Sequence, residues 1–305
     1  MFASLFLLAA AQISIPFGKP RQIEQPRAPI EKSGPRWAAA CTDDDNWDKP
    51  GPPVRIHGNA YYVGTCGISA ILIAGTNGHI LIDGATEKGA SVIAANIAAL
   101  GFKVSDVRYI LTSHEHFDHV GGVAELQQRS RASLVSSLPA SRAFVTGLPG
   151  KDDPQAGMHK AFPAASVERI IRDGEQARLG NVMVEAIATP GHTPGAMSWR
   201  WISCDGGVCR TIVYADSLTP VSRDDYRFSD HSAYLKAYRA SIAKLAASPC
   251  DIVLSPHPSA SGLRDRFARG ERLLDPEGCA TYAAKVGKAL DERLTKEVAA
   301  AKPQR

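Results

Sequence analysis

No apolar run in the 305 residues reaches the ~18 that a spanning helix needs. There is no run of Lys and Arg and no interleaving of basic with aromatic side chains. The formal charge is only +4, so nucleic-acid binding has no support. None of the six cysteines lies in a Cys-x-x-Cys pair, which argues against a structural zinc knuckle. Hydrophobic content of 44% and charged content of 22% describe a globular chain with a sizeable core. No residue pattern demands more than a monomer, and the expected partner is a small molecule.

The two ends of the cysteine question point the same way. Phe2 to Ile13 is almost entirely apolar or small and contains Ala9-Ala10-Ala11, like the core and cleavage site of a signal peptide. No basic residue precedes Lys19. Residues 1–17 are therefore expected to be a signal region cleaved near 11–17, and the protein periplasmic or secreted. An oxidising compartment allows disulfides. Cys204-Asp-Gly-Gly-Val-Cys209 brackets an Asp-Gly hairpin turn, which would bring Cys204 and Cys209 to bonding distance. The other four cysteines allow three pairings, of which sequence order favours Cys41 with Cys66 and Cys250 with Cys279.

Residues 18–53, rich in Pro, Gly and charge, read as an irregular arm anchored by Trp37 and Trp47. Beyond them strands are expected over 60–66, 69–74 and 79–83, then a helix over 86–100. After a helix over 123–129 and a strand over 133–136, residues 147–157 form a long irregular loop, and such loops are usually functional. Strands over 168–171 and 182–187, the cysteine hairpin, a helix over 229–247, a strand over 252–254 and a C-terminal helix complete two similar halves.

The informative stretch lies between the helix over 86–100 and the helix over 123–129. His114-Glu-His116-Phe-Asp118-His119 packs four ligand-type side chains into six residues, a set that suits zinc. It follows the apolar run Tyr109 to Thr112, so it sits at the C-terminal end of a strand, where α/β proteins place their sites. His114 and His116, two apart in extended backbone, point the same way and can share one ion. Asp118 and His119 lie beyond a turn and require a second. Two more histidines stand in rigid Pro/Gly turns after strands: Thr189-Pro-Gly-His192-Thr-Pro-Gly195 and Ser255-Pro-His257-Pro258. They would complete six ligands. His57, His79, His159 and His231 have no partner at ligand spacing and read as core or surface residues.

With these residues in place, the chain resembles the metallo-β-lactamase superfamily over about 250 residues from near Val54 onward, and within it is most similar to subclass B3. The resemblance implies an αββα sandwich with a dizinc site on one sheet edge, so residues 54–305 would form the catalytic domain. It places the first zinc on His114, His116 and His192 and the second on Asp118, His119 and His257. Asp83, in Leu-Ile-Asp-Gly, matches a buried aspartate that steadies the metal loop.

The implied function is an exported β-lactamase opening penicillins, cephalosporins and carbapenems with a hydroxide held by the two zincs. Asp118 would relay a proton to the released nitrogen, and Ser217, Thr219 and Gln155 would grip the substrate. No serine nucleophile is required. The alternative is another dizinc hydrolase of the superfamily, a lactonase or a thioester hydrolase. Asp216-Ser217 carries that ambiguity. In relatives such as glyoxalase II an aspartate at this strand end bridges the metals, whereas in subclass B3 enzymes a serine beside it faces the site.

Overall fold

Strands that are apolar on both faces need cover on both. In the computed structural model, which describes residues 33–269 and 273–301, each central strand divides its side chains between two cores. The expected signal region lies outside these residues. In β3 (Ile71–Gly75), Ile71 and Ile73 enter an inner core while Leu72 enters an outer one. β4 (Gly78–Ile82) repeats this with Ile80 and Ile82 inside and Leu81 outside.

Seven strands form the first sheet. β1 (Val54–His57), β2 (Ala60–Tyr62), β3 and β4 run antiparallel, and β5 (Val107–Leu111), β6 (Ser133–Ser136) and β7 (Val167–Ile170) follow in parallel. The second sheet takes β8 (Gln176–Leu179), β9 (Val182–Ala188), β10 (Met197–Asp205), β11 (Val208–Tyr214) and, in parallel at its edge, β12 (Ile252–Leu254). The inner core lies between the sheets, with Trp199, Trp201, Ile212 and Leu254 meeting Ile73, Ile82, Leu111 and Val135.

Helices close both outer faces. α2 (Gly89–Ala99), α4 (Val123–Ser130) and α5 (Leu138–Thr146) cover the first sheet through Ile93, Ile97, Leu126 and Phe144. Between α2 and α4, Phe117–Val120 makes a single helical turn, α3. α6 (Ser232–Ala246) and the C-terminal helix over 278–301 cover the second sheet through Tyr238, Leu245, Tyr282, Val286 and Leu290. The αββα sandwich expected from the sequence is the fold. No helix among the described residues is long and apolar enough to cross a membrane.

Several elements differ from the sequence pattern. The arm expected to be irregular contains a helix, α1 (Ser33–Ala40), because Trp37 buries itself edge-on against Tyr62 and Phe267 at 5.5 and 5.3 Å. β8 was hidden by its polar residues: it is an edge strand with one buried side chain, Ala177. The four-residue spacing of Tyr282, Val286, Leu290, Leu294 and Val298 predicts one buried stripe on the last helix, but Val298 is exposed. The cysteine hairpin turns at Gly206-Gly207, with φ of +53° and +85°, rather than at Asp205-Gly206, and Asp205 pairs with Val208. Positive φ at both central residues is the twist that suits a two-residue hairpin.

Cys204–Cys209 joins across that hairpin, Cys41–Cys66 fastens α1 to the loop after β2, and Cys250–Cys279 fastens β12 to the last helix. His79 lies in the core with its ring edge-on to Phe102, and burial pulls its pKa down to about 4.

Candidate metal centre

The six expected ligands converge at one edge of the sandwich. Ligand atoms of His114, His116 and His192 lie within 4.8 Å of one another, and so do those of Asp118, His119 and His257. The groups adjoin: the His114 and His119 rings are 4.3 Å apart. Local backbone explains the division. His116 is extended, φ −88° and ψ 148°, and caps α3. Up to it the chain alternates sides, and the helical turn then swings Asp118 and His119 to the second group.

Gly122 lets that turn seat deeply, because a Cβ there would come within 2.3 Å of the Gly84 carbonyl. Gly84 N–H donates to His119 O at 2.8 Å, and Gly122 N–H to Ala85 O at 3.0 Å. The neighbouring Asp83, at φ +64°, accepts from Ser113 N–H at 2.7 Å, Ser113 Oγ–H at 2.8 Å and the Tyr214 hydroxyl at 2.7 Å. It therefore fixes the residue directly before the first ligand.

Each histidine of the first group has one ring nitrogen held by an oxygen behind it, and only at His192 does a second group, the Gln155 amide, also approach the other nitrogen. His114 Nδ1 meets Asp216 Oδ1 at 2.7 Å, His116 Nε2 meets Asp153 at 3.2 Å, and His192 Nδ1 meets Thr219 O at 2.9 Å. Such partners set the tautomer and aim the other nitrogen at a metal. His114 Nε2 and His119 Nδ1 are buried without any hydrogen-bond partner, and an orphaned buried polar atom costs about 1–3 kcal/mol. A metal would remove that cost, so the donor set fits zinc ions.

The electrostatics agree. Burial, then the neighbouring imidazoles, holds His114 and His192 well below the usual histidine range. Burial and His119 pull His257 down to about 4. Burial alone would raise Asp118, but His119 beside it outweighs this and holds the carboxyl below its ordinary value. These are protonation states that metal binding demands. His119 is the exception: burial alone would lower it, but Asp118 outweighs this and raises it, so a metal there would have to displace its proton.

The substrate-facing expectations divide. Ser217 Oγ is buried beside Asp216 with no partner. Thr219 is engaged with His192, its hydroxyl 3.1 Å and its carbonyl 2.9 Å from Nδ1. Gln155 reaches over from the 147–157 loop, its Nε2 3.3 Å from His192 Nε2. Asp216 belongs to neither ligand group, since its Oδ1 is given to His114.

Three residues escaped the sequence reading. Glu115, between two ligands, is buried and accepts from Thr193 and Gly195 on the His192 loop. Burial, and then the charge of Asp153, pushes its carboxyl up to about 7. Asp153 is fully buried against His116. His159, set aside as a core or surface residue, instead lies with its ring 4.7 Å from that of His116 and bonds Gln155 Oε1 at 2.9 Å. Loop residues have no periodicity, so no sequence signal placed it. His57 and His231 do stay apart: one bonds Val208 O, the other stacks on Tyr226.

Ser241 and Lys244 have the Ser-x-x-Lys spacing of serine β-lactamases, yet they form no such site. On α6 the Ser241 hydroxyl bonds Pro190 O at 2.8 Å and Lys244 pairs with Asp173 at 2.9 Å.

Comparison with known proteins matches this arrangement. The structure of MIM-2 metallo-beta-lactamase is 52% identical, covers 87% of this chain and 98% of its own, and superposes with a TM-score of 0.84. MEM-A1, a subclass B3 metallo-beta-lactamase from a soil metagenome library, is 42% identical over 83% of this chain and 99% of its own, with a TM-score of 0.80. A hydroxyacylglutathione hydrolase of Bradyrhizobium sp. is 30% identical over 129 residues, 40% of this chain and 42% of that one. The chain thus spans less than half the length of the curated relatives it matches. The metallo-beta-lactamase superfamily profile matches residues 63–257, and the chain belongs to that superfamily.

Proposed function

We propose that this protein is an exported dizinc β-lactamase that hydrolyses the ring amide of penicillins, cephalosporins and carbapenems. The observation that carries this over a thioester or lactone hydrolase is the placement of Asp216. A bridging aspartate would face both metals; this one is turned onto His114 Nδ1, and His257 completes the second group. The likeness to MIM-2 over nearly its whole length supports the same reading.

Two zinc ions held by these groups would supply a Lewis acid and a water ionised near neutral pH. The chain's residues do the rest. Asp118, held ionised, can take a proton and return it to the nitrogen released on ring opening. Ser217 Oγ, free of any protein partner, and the Gln155 amide are donors for substrate oxygens. The Thr219 hydroxyl joins them at the His192 side. His257, its side chain 29% exposed, marks the side open to solvent.

Export is supported by the apolar N-terminal stretch and by three disulfides that use every cysteine, since such bonds persist in oxidising compartments. A panel of a penicillin, a cephalosporin, a carbapenem, a lactone and a glutathione thioester, each with and without chelator, tests the assignment. Chelator-sensitive opening of the β-lactams is expected. Turnover of the thioester or lactone alone would transfer the protein to the other class.

A further inference from the structure

The 147–159 segment is attached to the metal centre through a ligand rather than only lying beside it. Asp153 is fully buried in this irregular segment, although Lys151 and Asp152 just before it are exposed. Its carboxylate oxygens lie 3.2 and 3.4 Å from His116 Nε2, and Oδ1 also accepts the Gln155 N–H at 2.6 Å. The side chain that orients a metal ligand therefore also fixes the backbone of the residue expected to grip substrate. Gln155 then bonds His159 and reaches His192.

A second clasp holds the segment from the other side. Arg223 Nη1 donates to Asp153 O at 3.1 Å, and Arg223 N–H to Pro154 O at 3.0 Å. Arg223 follows the strand-end run carrying Thr219, which holds His192.

We infer that Asp153 is a positioning residue that couples occupancy of the first metal group to the order of the 147–159 loop. The reason is geometric. With Nε2 facing Asp153, the atom of His116 left for a metal is Nδ1. A neutral imidazole carries one N–H. A metal on Nδ1 requires that hydrogen on Nε2, where it donates to Asp153 and pins the loop. Without metal the hydrogen is free to sit on Nδ1, and the carboxylate then loses its donor. Zinc thereby assembles the loop that receives substrate. The inference rests on the first group holding a metal.

Hydrogen exchange over peptides covering 147–159, in zinc-free and zinc-loaded protein, tests it together with zinc affinity measured by chelator competition. In the wild type, zinc slows exchange in this segment. Asp153→Asn keeps the side-chain shape and leaves one acceptor oxygen, which the Gln155 N–H claims at the Oδ1 position, so an NH2 donor faces His116 Nε2–H. It abolishes the zinc effect on the loop and weakens one of the two zinc sites by roughly 10–100-fold. Asp153→Ser serves if the asparagine variant does not fold. Arg223→Ala loosens the loop in both states but preserves its response to zinc and leaves zinc affinity unchanged.

A zinc-dependent slowing that survives in Asp153→Asn, with both affinities intact, overturns the inference while leaving the metal centre standing. Wild-type protein that binds less than one zinc overturns the metal centre itself.

Discussion

Glu115 and Thr193, 78 residues apart in sequence, are joined side chain to side chain at 2.7 Å. With the Gly195 amide on the other oxygen at 3.1 Å, Glu115 staples the loop of the first two ligands to the loop of the third. Glu115→Ala removes both acceptors and leaves two donors buried. Each such loss costs about 1–3 kcal/mol, so we expect the zinc-free protein to lose roughly 2–5 kcal/mol by urea titration. Thr193→Val should cost less, because Gly195 keeps its acceptor. Equal stability of the alanine variant and wild type would show that the staple carries no load.

His192→Ala and His257→Ala should each lower bound zinc by about one ion per chain. Turnover should fall by more than the roughly 100-fold seen for the loss of an orienting partner. His231→Ala, which removes an exposed ring stacked on buried Tyr226, should change neither. Metal analysis of the three variants decides; a zinc loss in His231→Ala would mean that the ligand set is mistaken.

The core histidine gives a pH dependence with a definite sign. His79 has its pKa lowered from an ordinary 6.5 to about 4 by burial. Between those values the unfolded chain binds a proton that the folded chain refuses, so stability rises with pH across this window and falls as pH drops through it. The full contribution is at most roughly 3.5 kcal/mol, at about 1.4 per unit. His79→Phe should flatten the slope of urea midpoint against pH between 4 and 6.5. An unchanged slope would assign the dependence to other groups.

Intact-mass measurement of the protein should find six hydrogens missing, since all six cysteines are paired. Mild reductant should open Cys204–Cys209 first. Both of its residues are exposed at the hairpin, whereas Cys41, Cys66 and Cys279 are 1–2% exposed and Cys250 is 9% exposed. Peptide mapping after partial alkylation reads the order, and earlier opening of either buried bond would contradict it.

The strand and helix order and the six converging ligands were legible because each had a local signature, whereas the four-layer sandwich was implied by the resemblance to the superfamily. Ile71 to Ile73 and Ile80 to Ile82 are apolar on both faces, which fits a sheet covered on both sides. The ligands sit at strand ends in turns stiffened by Pro and Gly. The outer partners were not legible. Asp153 and His159 act from an aperiodic loop, and their roles depend on where that loop folds back. Glu115 was in view between two histidines, but its partners lie 78 and 80 residues away. Asp216 was seen and its direction was not: whether it bridges metals or braces His114 depends on a rotamer, which spacing does not encode.

The ligands occupy loops along one edge, while the three apolar cores contain none of them. The disulfides lie on the same metal-free framework, one on the N-terminal helix, one on a hairpin tip, one at the last helix. This arrangement leaves the scaffold able to form before zinc binds. If the chain is exported as proposed, it could fold and oxidise its cysteines first and acquire metal afterwards. The metal can be the last component to arrive.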